Sequence, residues 1–269
     1  MTDFSQILVD HPANKVMRIT LNRPQAMNAY TTHLCEEVTE AIEAYLRDDN
    51  QRALIITGAG RGFCSGGDVS GNGDDEHKAL MASQLSHGRE MRDGMHRVIL
   101  ALQRCDKPVI AMINGPAVAG GLTLALACDI RIASDKAKLG DTSGRFGLLP
   151  DEGGAWFFPR AMGMDRALKM SMLAETYDAR TAMELGLVTE VVSDNALEDE
   201  TLKLATALAE RAPLAVRLAK QMMLRSHDVT LERSLGDAAL SVMVTNPSQD
   251  VKEGVKAFFE KRAPQFTGK

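Results

Sequence analysis

Two glycine-rich segments constrain this chain more than any other feature, because each directly follows a short apolar run. Residues 61–69 (RGFCSGGDV) follow the run 53–57, and residues 114–123 (NGPAVAGGLT) follow the run 109–113. Apolar runs of this length are typical of strands that are buried on both faces of a parallel sheet. Strand, glycine turn, helix and strand alternate as far as residue 133, which predicts an α/β fold.

The two glycine turns are candidates for binding a ligand through the backbone. Glycine lets the backbone approach a ligand closely and adopt positive φ, and a helix N-terminus adds unpaired N–H groups with partial positive charge. Two such amides that converge on one oxygen would form an oxyanion hole. Ordinary tight connections are the simpler alternative. A nucleotide loop fits poorly, because residues 58–62 do not complete GxGxxG and no Lys-Ser or Lys-Thr follows a GxxxxG pattern.

The remaining pattern predicts a core at residues 1–195 and a helical C-terminal region at residues 196–269. In the core, the spacing predicts strands at 16–21, 130–133 and 188–192 and helices at 31–47, 78–103 and 121–127. Thr31 or Thr32 is a plausible N-cap of the helix 31–47, and Gly88 and Gly94 weaken the helix 78–103. In the C-terminal region, the amphipathic pattern predicts helices at 197–212, 214–225, 231–244 and 249–262, separated by Pro213, Asp228 and Pro247.

Charge, cysteines and the N-terminus exclude several classes of protein. A formal net charge of −5 gives no overall positive field for nucleic acid. The four cysteines form no CxxC pair and no histidine cluster accompanies them, so neither a disulfide framework nor a metal site is expected. The first residues lack a signal-peptide pattern, and no apolar run approaches the roughly 18 residues that a membrane span needs. We therefore predict a cytoplasmic protein without nucleic-acid or membrane partners.

Six segments, in order along nearly the whole chain, resemble the crotonase superfamily of enoyl-CoA hydratases and isomerases. They are residues 21–29 (LNRPQAMNA), 62–68, 113–121, 127–133, 147–154 (GLLPDEGG) and 182–188. The resemblance implies a spiral of ββα units with a helical trimerisation region. It also implies a homotrimer or a hexamer, an acyl-CoA thioester substrate, and no cofactor beyond the coenzyme A of that substrate.

The resemblance also implies roles for individual residues. The oxyanion amides would be those of Gly67 and Gly120. The CoA adenine pocket would include four residues from the early segments, namely Ala26, Ser65, Asp68 and Val69. Phe258 and Lys261 match positions that reach a CoA bound to the adjacent subunit.

The sequence departs from the hydratases of this superfamily at both of their glutamates. Thr123 and Ser143 occupy those positions in the substrate site, and neither hydroxyl can replace a carboxylate base near neutral pH without activation. One acid remains where isomerases carry it, Asp151. Residues 123–126, 150–156 and 261–269 further resemble the isomerase branch, including isomerases of ring-containing acyl-CoA.

We therefore predict an isomerase in which Asp151 moves a proton between two carbons beside a thioester enolate. Burial in an apolar pocket would raise the pKa of this carboxyl into a useful range. Glu152 is its closest rival and ranks lower because only Asp151 aligns with the superfamily's acid. Three histidines near the expected acyl pocket, His77, His87 and His96, fit exposed helix positions better than catalytic ones. The alternatives are a hydratase, a hydrolytic or dehalogenating enzyme with Asp151 as nucleophile, and a non-catalytic CoA-binding protein.

Overall fold

A computed structural model describes residues 4–69 and 84–269 of the chain. The strands are β1 Ile7–Ala13, β2 Val16–Leu21, β3 Ala53–Gly58, β4 Val109–Ile113, β5 Ala117–Val118, β6 Ile130–Ser134, β7 Lys138–Gly140, β8 Thr176–Asp178 and β9 Glu190–Val192. The helices are α1 Thr32–Arg47, α2 Gln84–Asp93, α3 Met95–Arg104, α4 Gly120–Ala127, α5 Gly154–Met162, α6 Met164–Leu173, α7 Ala179–Glu184, α8 Leu197–Ala209, α9 Pro213–Ser226, α10 Leu231–Thr245 and α11 Gln249–Glu260.

The main sheet contains six strands in the order β1-β2-β3-β4-β6-β9. β1 and β2 pair antiparallel, and every other pair in this sheet is parallel. Strands β5, β7 and β8 form a smaller, three-stranded sheet in that order. Along the chain, β5 follows β4, and β7 and β8 follow β6. This mixed α/β architecture confirms the fold class, and the helical C-terminal region is present.

Both faces of the main sheet are covered, which explains the uniform burial of β3 and β4. On one face, the sheet packs against α1, α3 and α4 in the larger hydrophobic core. On the other, Ala205 and Ala209 of α8 pack with Ile55 and Ile110. The division at residue 195 stays a prediction, but the first helix of the C-terminal region packs against the core sheet.

Particular residues set the start of helix α1 and the boundary between helices α2 and α3. Thr31 caps α1, since its hydroxyl accepts a hydrogen bond from the amide of Leu34 at 3.1 Å, and this confirms the predicted cap. The predicted helix 78–103 is interrupted at Gly94, between α2 and α3. Residues 78–83 of that prediction lie outside the described part of the chain.

Several elements have no counterpart in the sequence prediction, namely β1, β5, β7, β8 and the helices α5 to α7. The three small-sheet strands contain two or three residues each, too few to show a period. Among the helices of residues 4–69 and 84–269, none is both long enough and apolar enough to cross a membrane.

Candidate active site

A buried asparagine, Asn28, holds the first glycine loop in place through hydrogen bonds. Asn28 is fully buried with φ 55°, a backbone conformation that asparagine tolerates better than most residues. Its side-chain oxygen accepts a hydrogen bond from the amide of Arg23 at 2.9 Å, and its amide group donates to the carbonyls of Ala59 and Gly62 at 2.9 and 2.8 Å. The segment 23–28 is thereby tied to the loop that carries Gly67.

The two glycine loops are hydrogen-bonded to each other along their backbones. The amide of Phe63 donates to the carbonyl of Pro116 at 3.0 Å, and the amide of Val118 donates to the carbonyl of Cys64 at 3.1 Å. Gly121 lies so close to Cys64 that a Cβ there would collide with its carbonyl oxygen. Two turns that are 50 residues apart in sequence therefore form one structure, as the oxyanion prediction requires.

Tyr30 lies against both glycines that were predicted to supply the oxyanion amides. A Cβ built on Gly67 would lie 3.3 Å from the tyrosine Oη, and one built on Gly120 would lie 2.7 Å from its Cε1. A Cβ on Gly66 would lie 3.5 Å from the backbone nitrogen of Gly120. The structure thus brings Gly67 and Gly120 to opposite sides of one side chain.

Both glycine amides are available for a ligand. Gly120 is the first residue of α4, where N–H groups have no acceptor within the helix. Within the described residues, no acceptor bonds to the N–H of Gly67 or of Gly120. Ala119, just before Gly120, has φ 51°, a strained conformation for a residue with a Cβ and one often found at functional sites. That the two N–H groups share one carbonyl oxygen stays a prediction.

The buried carboxylate that lies against Gly120 belongs to Glu152. Only 5% of this residue is exposed, and a Cβ on Gly120 would lie 2.5 Å from its Oε1. Oε1 accepts a hydrogen bond from Tyr30 Oη at 2.7 Å, whereas Oε2 is buried without a partner in the described part of the chain. Burial raises the pKa of Glu152 to about 6, against the opposing effect of the Tyr30 hydrogen bond. With this pKa the carboxyl is mostly ionised near neutral pH and keeps a minor protonated fraction, which suits a group that removes a proton and later returns it.

The Asp151 side chain, which the sequence ranks first, is exposed. Its backbone oxygen lies 2.8 Å from His96 Nε2. Residues 151–153 form a turn before α5, and in a turn adjacent side chains leave the backbone in different directions. The aligned motif locates the turn but does not specify which of its two acids points inward. The structure brings Glu152 to the glycines, and the role of Asp151 stays a prediction.

The residues at the two hydratase positions are both buried. Thr123 is fully buried and its methyl group would contact a Cβ on Gly153, next to Glu152. Ser143 is also buried, and its amide donates to Oδ1 of buried Asp141 at 3.0 Å. Thr123 Oγ1 and Asp141 Oδ2 are buried without partners in the described residues. The charge of Asp141 also raises the pKa of Glu152, so the two carboxylates interact electrostatically.

The predicted CoA residues fall into two groups. Ser65 Oγ lies 3.4 Å from the carbonyl oxygen of Ala26, and Asp68 forms an ion pair with Arg23 at 2.7 Å. Val69 is largely exposed at the edge of the described segment. Phe258 and Lys261 are exposed on the C-terminal helical region, where Lys261 ends α11. The four early residues, Ala26 and the three of the first glycine loop, form one surface beside Gly67. Within the described residues, no contact fixes the role of Phe258 or Lys261.

Of the two candidate histidines in the described residues, only His96 contacts the turn that carries the acids. His96 does so through the backbone of Asp151, His87 is exposed, and His77 lies outside the described residues. Sequence reasoning missed Tyr30 and Asp141 altogether. Tyr30 follows the segment that resembles the superfamily's CoA-binding motif, and a polar aromatic residue there was the only signal.

The family model of enoyl-CoA hydratases and isomerases matches residues 11–269. The chain belongs to this enoyl-CoA hydratase/isomerase family. Such a match extends over both glycine loops, the turn with Asp151 and Glu152, and the C-terminal helices.

The relatives of this chain include both isomerases and hydratases. The chain is 36% identical to a 1,2-epoxyphenylacetyl-CoA isomerase from Escherichia coli, over 98% of this chain and 99% of the relative. It is 38% identical to an (E)-benzylidenesuccinyl-CoA hydratase from Thauera aromatica, over 95% and 97% of the two chains. The crystal structure of an enoyl-CoA hydratase from Bacillus anthracis superposes with a TM-score of 0.90 at 32% identity, covering 98% of this chain and 100% of that one. Enzymatic activity on acyl-CoA is therefore supported by the family, whereas the reaction type is not decided by it.

Proposed function

We propose that this protein shifts a carbon–carbon double bond in an acyl-CoA thioester, with Glu152 carrying the proton. The observation that carries the proposal is one buried carboxylate beside Gly120, at a site where both hydratase glutamates are replaced, by Thr123 and Ser143. A double-bond shift needs a single group that removes a proton from one carbon and returns it to another. Asp151 is the second candidate for that group.

The glycine amides would supply the larger part of the stabilisation. Removal of the proton next to the thioester turns its carbonyl oxygen into an enolate oxygen, which the N–H groups of Gly67 and Gly120 would bind. One such donor typically contributes about 2.7–4 kcal/mol in the transition state. The reaction requires no cofactor, since coenzyme A is part of the substrate. Its adenine end would lie along Ala26, Ser65, Asp68 and Val69.

The products formed from two positional isomers test the proposed reaction. We expect 3-hexenoyl-CoA to be converted into the 2-enoyl isomer, with deuterium from D2O entering the carbon chain. The 2-enoyl isomer should give no more 3-hydroxy product than a reaction without enzyme. Mass spectrometry identifies the 3-hydroxy product, since water addition increases the mass by that of one water molecule. Chromatography separates the two enoyl isomers, which have equal mass. Formation of the 3-hydroxy product as the main outcome would contradict an isomerase.

A hydratase is the second candidate function, and a specific observation favours it. The chain retains two buried carboxylates that interact, Glu152 and Asp141, and the hydroxyl of Thr123 is buried without a partner. Two carboxylates and a hydroxyl are groups that can hold and activate a water molecule. Under this alternative, Asp141→Asn should abolish water addition, whereas an isomerase that depends on Glu152 alone should retain its double-bond shift.

We also propose that the protein assembles as a homotrimer or as a hexamer. Large apolar side chains on the C-terminal helices are exposed in the described chain. They are Leu231, Leu235, Leu240 and Met243 on α10, and Phe258 and Phe259 on α11, each at least 60% exposed. Apolar surface of this extent normally marks a protein interface. We expect light scattering at micromolar concentration to give three or six times the mass of 29.2 kDa, and a monomer would contradict this proposal.

A further inference from the structure

We propose that Tyr30 is a positioning residue that holds Glu152 beside the two oxyanion glycines, so that Oε1 is fixed and Oε2 carries the proton. This inference rests on the proposed function and assigns a role to a residue outside the superfamily's motifs. It is drawn from three sets of contacts of one residue, one through its backbone and two through its side chain, with three different segments of the chain.

The first set of contacts fixes Tyr30 itself. Its amide donates to the carbonyl of Gly66 at 2.9 Å, and its carbonyl accepts from the amide of Asp68 at 3.0 Å. These two bonds bracket Gly67, so the backbone of Tyr30 and that of the first oxyanion residue form a short parallel bridge. The position of the tyrosine ring is therefore coupled to the position of the Gly67 amide.

The second contact places the ring against Gly120. A Cβ on this residue would lie 2.7 Å from the ring, so only glycine allows the ring and the helix N-terminus to approach so closely. The third contact is the hydrogen bond from Oη to Glu152 Oε1 at 2.7 Å, a normal length for an O–H···O bond. One side chain therefore sets the distances among two amides and one carboxylate.

The two carboxylate oxygens of Glu152 therefore have different roles. Oε1 is occupied by the tyrosine, and Oε2 is buried without a partner in the described residues. In the proposed step, a carbon–hydrogen bond next to the thioester breaks, its electron pair enters the enolate, and the proton forms an O–H bond at Oε2. Delivery of that proton to the carbon two positions away regenerates the carboxylate, so no other reactant is consumed.

Tyr30 remains protonated throughout, because burial and the charge of Glu152 raise its pKa far above the neutral range. Its hydrogen bond favours the ionised form of Glu152 and so lowers a pKa that burial and the charges of Asp151 and Asp141 raise. Among the described residues, the other titratable groups nearby are His96, at the backbone of Asp151, and the thiols of Cys64 and Cys35. Burial raises the pKa of both thiols, that of Cys64 to about 12. The tyrosine thus sets the pH at which the base becomes active.

The test is the pH dependence of α-proton exchange on phenylacetyl-CoA in D2O, for wild type and Tyr30→Phe. Exchange by the wild type should fall as the pH drops through about 6, the pKa of Glu152, because the base becomes protonated. In Tyr30→Phe the acidic limb should move upward by about one pH unit, since a carboxylate that loses a hydrogen bond to its ionised form is easier to protonate. The dissociation constant for coenzyme A should not change.

Tyr177→Phe is the matched control. Tyr177 Oη also donates to a glutamate, Glu175, at 2.7 Å, but this pair belongs to strand β8 and the residue before it in the small sheet. Its removal should leave the profile unchanged. If Tyr30→Phe does not fold, 3-fluorotyrosine at position 30 keeps the shape and strengthens the donor, so the limb should move downward.

An acidic limb that stays at the wild-type pH in the folded Tyr30 variants would overturn the positioning role and leave the function of Glu152 intact. Full exchange in Glu152→Gln would instead overturn the proposed function. The two failures are therefore distinguishable in one set of measurements.

Discussion

Replacing Glu152 by glutamine should lower the rate of α-proton exchange on an acyl-CoA by about 10²- to 10⁴-fold, the usual contribution of a positioned general base. Glutamine has nearly the shape of glutamate, and its amide oxygen can still accept the hydrogen bond from Tyr30 Oη. Folding should therefore survive, because a buried carboxylate with a raised pKa is exchanged for a neutral group that is easier to bury. Binding of coenzyme A should also persist, which separates lost catalysis from lost binding.

Asp151→Asn is the decisive comparison for this prediction. Asp151 is the adjacent acid, it loses its charge in the same way, and its side chain is exposed. We expect this variant to retain most of the activity. The reverse result, an inactive Asp151→Asn with an active Glu152→Gln, would support the assignment made from the sequence motif and contradict the one made from the structure. Exchange is measured by the loss of the α-proton signal in D2O.

Adding one methyl group at Gly120 should cost about 10²- to 10³-fold in kcat or more, the effect of losing one oxyanion donor. The Cβ of Gly120→Ala would lie 2.5 Å from Glu152 Oε1 and 2.7 Å from the ring of Tyr30, distances at which something must move. The carboxylate and the tyrosine would be displaced together, so both the base and the amide geometry should be impaired. KM should change less than kcat, because the residues proposed to bind coenzyme A lie on other segments.

Gly236→Ala provides the matched control for an added methyl group. Gly236 lies within α10, and a Cβ there meets no atom within 4 Å. Alanine favours a helix over glycine by up to about 1 kcal/mol, so this variant should be at least as stable as wild type and equally active. Thermal unfolding and steady-state rates of both variants, compared at the same oligomeric state, check this. Wild-type kcat in Gly120→Ala would remove Gly120 from the proposed site.

The sequence specified the elements of this fold that have a long or fully apolar pattern. β2 and β4 match their predicted residues, and α1 begins at its predicted cap because Thr31 accepts from Leu34. The strands of the small sheet are too short for any period and depend on tertiary pairing. The predicted helix after residue 78 is divided at Gly94, where the chain bends between two helices that a single apolar pattern would join.

The candidate site divides in the same way between local and non-local information. The glycine turns were visible because glycine is used where backbone must approach a ligand, and the structure brings both turns to one tyrosine. Which acid of the 151–152 pair is buried depends on how the turn before α5 meets α4, and no local pattern specifies that. Tyr30 was missed because its partner lies 122 residues away in sequence.

The packing of α8 on the second face of the sheet limits how this chain can be divided. Without Leu197, Ala205 and Ala209, the strand residues Ile55, Ile110 and Ile132 would face water on that side. The spiral that carries the glycine loops therefore completes its hydrophobic core only after α8, that is, after about two hundred residues, has been synthesised. A chimaera that exchanges C-terminal regions between relatives should fold when the junction follows α8. A junction before α8 would separate the main sheet from the helix that covers its second face.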